Sequence, residues 1–301
     1  MTEDLHSLST FQRWMLAIRP RTLPAAAAGV LLGAGIAWKT AGHVPPILPA
    51  LVILACAILL QILANLVNDV ADFQKGTDTA ARLGPLRVTQ SGLLTPRQMW
   101  TGVVVNILLA ALGGVYLAWI GGWPVIAIGA ASILIAVLYT VGPFALEDIG
   151  LGDLFALLFF GLVAVGGTVY ILTGRLPGLA WLGGLAAGCL TTAILVVNNV
   201  RDIESDRLAG RKNIPVVWGR EAGEFEYGLM LGIAYVVPVA ARLLGWAPIW
   251  ALIPLVTLPR ALSLYKQIRS LAPGRQFNQL LADTAQLLLV FSVLFGVGVN
   301  L

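Results

Sequence analysis

Residues 47–72 read ILPALVILACAILLQILANLVNDVAD, an apolar run that ends on two carboxylates. Up to Val67 it carries no charged side chain, and about 20 such residues are enough to cross a bilayer as a helix. Asn65, Asn68, Asp69 and Asp72 are three, four and seven residues apart, so they share one face at the end of that helix. A second run, 179–198, ends on Asn198-Asn199-Val200-Arg201-Asp202. There Asn199, Asp202 and Asp206 line up in the same way.

Working outward from these two runs, further apolar stretches fall at 23–38, 98–119, 123–141, 153–172, 227–244, 249–267 and 284–301. The expected fold is an all-α integral membrane protein of about nine transmembrane helices. Composition agrees, because 58% of the 301 residues are apolar and 11% are charged, against about half and about a quarter in soluble domains. The whole chain, 1–301, reads as a single transmembrane domain, with 1–20 as a cytoplasmic arm. The arm carries Glu3 and Asp4 but no basic residue before Arg13, so it lacks the basic start of a secretory signal and the first span is expected to be retained. Cys56 and Cys189 both lie inside apolar runs, where cysteine acts as a small hydrophobe.

With the N-terminus inside, the basic residues sort to one side. Arg13, Arg19 and Arg21 lie in the arm, and Lys75, Arg82, Arg87 and Arg97 in the 68–97 loop. Arg201, Arg207, Arg211, Lys212 and Arg220 lie in the 199–224 loop, and Arg260, Lys266, Arg269 and Arg275 in the 260–283 loop. The other side keeps only Lys39, Arg175 and Arg242. This asymmetry obeys the positive-inside rule and predicts a multi-pass protein of the cell membrane, bacterial inner membrane in type, with its C-terminus outside. The formal charge of +4 is therefore a topological signal and not a nucleic-acid footprint. Tryptophans cluster at the ends of the spans, as an interfacial belt would have them.

Every acidic residue also falls on the inner side, although acids barely influence topology. The two Asn/Asp ends lie four spans apart, which suggests two four-helix halves and a ninth helix around a central cavity. Solvated helix ends would account for any one of these acids. Asp69, Asp72, Asp78, Asp202 and Asp206 together are a different matter, because two unit charges 4 Å apart repel by about 4 kcal/mol at an effective dielectric near 20. Gly76 allows a turn that folds Asp78 back toward the first stripe. Oxygen ligands without His or Cys point to a hard divalent ion, and Mg2+ sharing its shell with phosphate fits carboxylates spread over two elements. Lys75, Arg82, Arg87, Arg201, Arg207, Arg211 and Lys212 are suited to clamp phosphate. A lipid-soluble diphosphate is the ligand this combination suggests, and the sequence contains no glycine-rich nucleotide loop and no nucleophile elbow.

These motifs resemble those of the UbiA superfamily of intramembrane prenyltransferases, and within it the branch that prenylates 1,4-dihydroxy-2-naphthoate. The resemblance rests on four passages. They are Arg19-Pro20-Arg21-Thr22-Leu23-Pro24; Asn65 to Asp78 continued by Arg82-Leu83-Gly84-Pro85-Leu86-Arg87 and Gln90-Ser91-Gly92; Tyr139-Thr140 with Gly150-Leu151-Gly152-Asp153; and Asn198 to Gly210, with a weaker echo at Asn278 and Thr284. The chain departs from the family after Gly210, where Arg211-Lys212-Asn213-Ile214 leaves open which cation meets the diphosphate. It departs again after Tyr139, where Pro143 to Asp148 stands in place of a basic or aromatic residue.

The resemblance implies transfer of a prenyl chain from a polyprenyl or phytyl diphosphate to the naphthoate, releasing diphosphate and carbon dioxide, in menaquinone or phylloquinone synthesis. It implies Mg2+ held by Asp69, Asp72, Asp78, Asp202 and Asp206, with Tyr139 also at the reacting centre. Asn65, Asn68, Lys75, Arg82, Arg87, Gln90, Asn198, Asn199, Arg201, Arg211 and Lys212 would contact the substrates. Homogentisate or 4-hydroxybenzoate as acceptor is the alternative within the superfamily, and a secondary transporter the alternative outside it. A transporter would carry its charges near the bilayer midplane, whereas here they gather at inner helix ends.

Overall fold

The computed structural model describes residues 7–76 and 83–301, which are helices and connecting turns with no strand among them. Asp78 and Arg82 lie outside the described residues. The helices are α1 (Thr10–Ile18), α2 (Leu23–Ala41), α3 (Ile47–Lys75), α4 (Pro96–Gly121), α5 (Trp123–Leu138), α6 (Gly152–Thr173), α7 (Gly178–Arg201), α8 (Ile203–Leu208), α9 (Ile214–Trp218), α10 (Arg220–Leu243), α11 (Leu258–Ser270) and α12 (Phe277–Gly298).

Seven segments are long and apolar enough to cross a membrane: α1 running on into α2, then α3, α4, α6, α7, α10 and α12. The two other expected spans have a different form. Helix α5 is apolar but only 16 residues long, because the chain turns after Tyr139 and Gly142 takes φ 106°. The stretch expected at 249–267 divides into a 3-10 helix, Ile249–Thr257, and α11. Pro254 lies inside the first piece and has no N–H with which to continue an α-helix.

Helix α3 has 29 residues and so extends about 43 Å at 1.5 Å per residue, well beyond a hydrocarbon core of about 30 Å. Its last turns therefore project past the apolar layer, and Gly76 stops it with φ 71°. Helix α7 is the most enclosed span, with 72% of its apolar window buried. Its small residues allow close backbone approach. A side chain on Gly161 of α6 would collide with the backbone of Gly184 and Gly188 of α7.

The largest hydrophobic cluster joins α7, α10 and α12 to Leu32 and Ile36 of α2. A second cluster packs Leu63, Leu66, Val67 and Val70 of α3 against Val88, Leu93 and Leu94, pinning the loop after α3 onto that helix. The last span closes against the first, where Gly35 abuts Gly296 and Asn300 Nδ2 donates to the Gly35 carbonyl at 2.8 Å. Helices from both halves of the chain then line a cavity of about 750 Å3.

Candidate active site

At the end of α3, Asp69 is fully buried. Its oxygens accept from the backbone N–H groups of Val88 (3.1 Å) and Thr89 (3.0 Å), and Arg19 Nη2 donates to it at 3.4 Å. Arg19 holds a left-handed φ of 54° at the end of α1, which makes the Arg19-Pro20 corner that brings it there. Asn65 fastens the same corner, donating to the Ile18 carbonyl at 2.8 Å and to Thr22 Oγ1 at 2.9 Å. One turn on, buried Asp72 accepts from Arg87 Nη2 at 2.7 Å. Lys75 reaches Asp148 at 2.7 Å.

At the end of α7, Arg201 grips Asp202 with Nε at 2.8 Å and Nη2 at 2.5 Å, and donates Nη1 to Asn278 Oδ1 at 2.7 Å. Asn278 Nδ2 in turn donates to the Leu83 carbonyl at 3.0 Å, so α12 links the loops of both motifs. On α8, Asp206 accepts from Asn213 Nδ2 at 2.8 Å.

Arg211 joins the two motifs. Its guanidinium meets Asp72 Oδ1 at 3.0 Å, Asp206 Oδ1 at 3.2 Å and Glu147 Oε1 at 3.0 Å, with Asp148 Oδ1 3.5 Å away. Glu147 comes here because residues 139–151 fold back on α5, Leu146 and Glu147 donating their N–H groups to Leu138 and Tyr139. Asn68 Nδ2 donates to Glu147 Oε2 at 3.3 Å and to Thr140 Oγ1 at 3.1 Å. Burial pushes the Glu147 carboxyl above the usual carboxylate range, opposed by Arg211 beside it. Asp206 is raised too, again by burial and against the pull of Arg211. Burial disfavours the charge on Arg211, but Glu147, Asp72 and Asp206 outweigh it and hold the guanidinium protonated.

The cavity has a polar wall and an apolar one. Arg19, Asn65, Asn68, Arg87, Tyr139, Glu147, Asp153, Asn198, Asn199, Arg201, Asp202, Asp206 and Arg211 line the first. Val30, Ile53, Leu117, Val125, Ile128, Phe155, Phe159 and Phe160 line the second. Tyr139 fits because a side chain on Gly152 would strike its hydroxyl. Asn199 Nδ2 donates to Asp153 Oδ1 at 3.4 Å.

The expected residues are thus sorted unequally. Asp69 and Asp72 are buried behind the polar wall, and Lys75, Gln90 and Lys212 do not line the cavity. The side chain of Lys212 is exposed, and only its backbone N–H takes part, donating to the Asp148 carbonyl at 3.0 Å. Arg211 is the one of that pair that enters the site. Asp153 falls in one of the passages that carry the resemblance, and Glu147 and Asp148 in the stretch that departs from the family, but the sequence assigns none of the three a role.

All the acidic and amide donors here are oxygen-bearing, as a hard divalent ion requires. Among the described residues no three of His, Cys, Asp and Glu are grouped to hold an ion alone.

The UbiA prenyltransferase family model matches residues 26–282. The 1,4-dihydroxy-2-naphthoate octaprenyltransferase of Escherichia coli is 33% identical over 307 residues, covering 100% of this chain and 98% of that protein. The enzyme of the same name from Mycobacterium tuberculosis is 36% identical over 287 residues, with 95% and 96% covered. Among solved structures, a UbiA homolog from Archaeoglobus fulgidus bound to GPP and Mg2+ superposes with a TM-score of 0.70 at 15% identity, covering 96% of this chain and all of that one.

Proposed function

This chain belongs to the UbiA prenyltransferase family, and we propose that it transfers a prenyl group from a polyprenyl or phytyl diphosphate to 1,4-dihydroxy-2-naphthoate. The observation that carries this reading is the two-walled cavity. An apolar wall of Phe155, Phe159, Phe160 and aliphatic side chains suits a prenyl tail, and it meets a wall of arginines, amides and carboxylates suited to a diphosphate. The full-length similarity to two naphthoate enzymes supports the choice of acceptor.

In this mechanism Arg19, Arg87, Arg201 and Arg211 draw the diphosphate to the polar wall, where charge-assisted and bidentate hydrogen bonds are strongest. Asp72, Asp202 and Asp206 would hold Mg2+, with Asp69 behind them organising the Arg87 loop. Bound there, Mg2+ supplies Lewis-acid stabilisation of the charge that gathers on the leaving diphosphate. The phenylalanine wall keeps water from the allylic cation as the donor C–O bond breaks. Asn68, Tyr139 and Glu147 border the space beside the diphosphate and would orient the ring. Its electron-rich carbon forms the new C–C bond there, and loss of carbon dioxide restores the aromatic quinol.

The arrangement in the membrane follows from the same residues. We propose that α5 and the composite segment 249–270 also cross, for nine crossings in all, with the N-terminus and active site cytoplasmic and the C-terminus outside. Single cysteines at 122 and 246 should then react with an impermeant reagent in intact cells, and one at 210 only after permeabilisation. Labelling at 210 in intact cells would reverse the orientation.

The functional test uses purified protein with Mg2+, polyprenyl diphosphates of graded length and three acceptors. Prenylated naphthoquinol and carbon dioxide should appear in equal amounts, with little product from 4-hydroxybenzoate or homogentisate, because the wrong ring leaves buried polar groups unpaired. Preference for homogentisate, or a product that keeps its carboxylate, would move the protein to another branch of the family. Full activity in excess chelator would remove the metal from the mechanism.

A further inference from the structure

The centre of the polar wall contains an arginine where two carboxylate motifs converge. Asp72 gives Oδ1 to Arg211 and Oδ2 to Arg87. Asp206 gives Oδ1 to Arg211 and Oδ2 to Asn213. All four of these oxygens therefore already accept from a protein donor, and a cation that binds Asp72 or Asp206 shares its oxygen with one of those donors, two of which, Arg87 and Arg211, are themselves positively charged. Arg87 is held at 2% side-chain exposure beneath the loop, and Asn213 is buried. Arg211 differs from both. All three line the cavity, but the Arg211 side chain is 16% exposed and meets carboxylates from three segments, Asp72, Glu147 and Asp206, whereas Arg87 and Asn213 are almost fully enclosed.

We propose that Arg211 is a resident counter-cation: it holds Asp72 and Asp206 together, competes with the divalent ion for them, and passes to the donor diphosphate when the ion enters. The proposal rests on the reading of this site as one for a metal-bound diphosphate. Four carboxylates, Asp72, Glu147, Asp148 and Asp206, lie within 3.5 Å of one guanidinium, and although Asp72 also meets Arg87 and Asp148 also meets Lys75, Arg211 is the cation common to all four. A divalent ion neutralises them better, and the guanidinium beside the same oxygens repels it until the arginine moves away. A displaced guanidinium in this wall needs an anion, and a diphosphate offers it a bidentate one. Ion and diphosphate should consequently bind together far better than either alone, and by linkage each should improve the affinity of the other to the same extent. Lysine, a compact ammonium on a flexible stem without the rigid planar fork, would hold Asp72, Glu147 and Asp206 less firmly.

The test follows Mn2+ binding to purified, chelator-treated protein by equilibrium dialysis and electron paramagnetic resonance, without and with inorganic diphosphate at equal concentration on both sides. In the unaltered protein diphosphate should tighten Mn2+ binding by about tenfold or more, and equal affinity in both conditions would overturn the proposal. Arg211→Gln removes the competing charge, so Mn2+ alone should bind several-fold tighter than to the unaltered protein while the gain from diphosphate shrinks. Opposite changes in the two measurements separate this role from a structural one, which would weaken both. Mn2+ alone binding to Arg211→Gln no tighter than to the unaltered protein would overturn the proposal. Should the glutamine variant fail to give a monodisperse protein, Arg211→Lys decides by the same comparison: tighter Mn2+ binding alone supports the proposal and equal or weaker binding overturns it. None of these measurements involves an acceptor, so failure to prenylate naphthoate would leave them standing. Absence of Mn2+ binding in every condition would instead remove the metal reading and this proposal with it.

Discussion

Asp69 and Asp72 lie at the end of α3 beneath a loop that covers them, whereas Asp202 and Asp206 lie beyond the end of α7 with the cavity in front of them. The first pair is engaged in construction. Asp69 holds two backbone N–H groups and Arg19, and Asp72 anchors Arg87 and Arg211. Asp202 instead lies in a bidentate grip from its own neighbour Arg201, on the cavity wall. Two motifs with the same residue types thus divide the work. The first sets the positions of the arginines, with Asp72 alone of that pair also offered to the ion, and the second presents oxygens to the ligand.

That division predicts different phenotypes for substitutions of the same kind. Asp206→Asn and Asp202→Asn should lower turnover by on the order of a hundredfold to a thousandfold, the cost of removing one preorganised electrostatic group from a reacting centre. Their melting temperatures should stay close to that of the parent. Asp69→Ala should also lower turnover, but with a clear drop in melting temperature, because it strands the Val88 and Thr89 N–H groups and removes a buried carboxylate from beside Arg19. A buried donor left without a partner costs about 1–3 kcal/mol. Thermal unfolding alongside steady-state rates checks both. If Asp69→Ala melts like the parent, or Asp206→Asn melts far below it, the two motifs do not divide the work in this way.

Much of the fold could be read from run length and charge side alone. What escaped was how far the helices run into polar sequence and what their polar residues meet. Helix α3 runs to Lys75 and α12 begins at Phe277, farther into polar sequence than hydropathy allows, because Asn65, Asn68, Asp69, Asp72 and Asn278 each find partners on other elements. Spacing on a helix brought Asp69 and Asp72 into one stripe but could not tell which faced a cavity and which faced a loop. Glu147 was beyond the same reasoning, since it lies in a turn without periodicity and meets Asn68 and Arg211 only after the chain has folded.

The smallest expected effect tests the comparison at its finest point, the neighbouring cations Arg211 and Lys212. Sequence alone does not choose between them. In the fold they point apart: Arg211 bridges Asp72, Glu147 and Asp206 across the cavity, while the Lys212 side chain is exposed and its backbone N–H donates to the Asp148 carbonyl. Alanine keeps that N–H, so Lys212→Ala removes only a solvated charge, and surface changes of that kind stay within about 0.5 kcal/mol. Turnover and KM for the donor should therefore remain within about twofold of the parent, as that energy allows. Any residual effect should be on KM and should fade as salt is raised, since an exposed cation acts on an incoming diphosphate only through a screened field. A loss of tenfold or more that persists in high salt would bring Lys212 into the diphosphate clamp and move the division between the motifs by one residue.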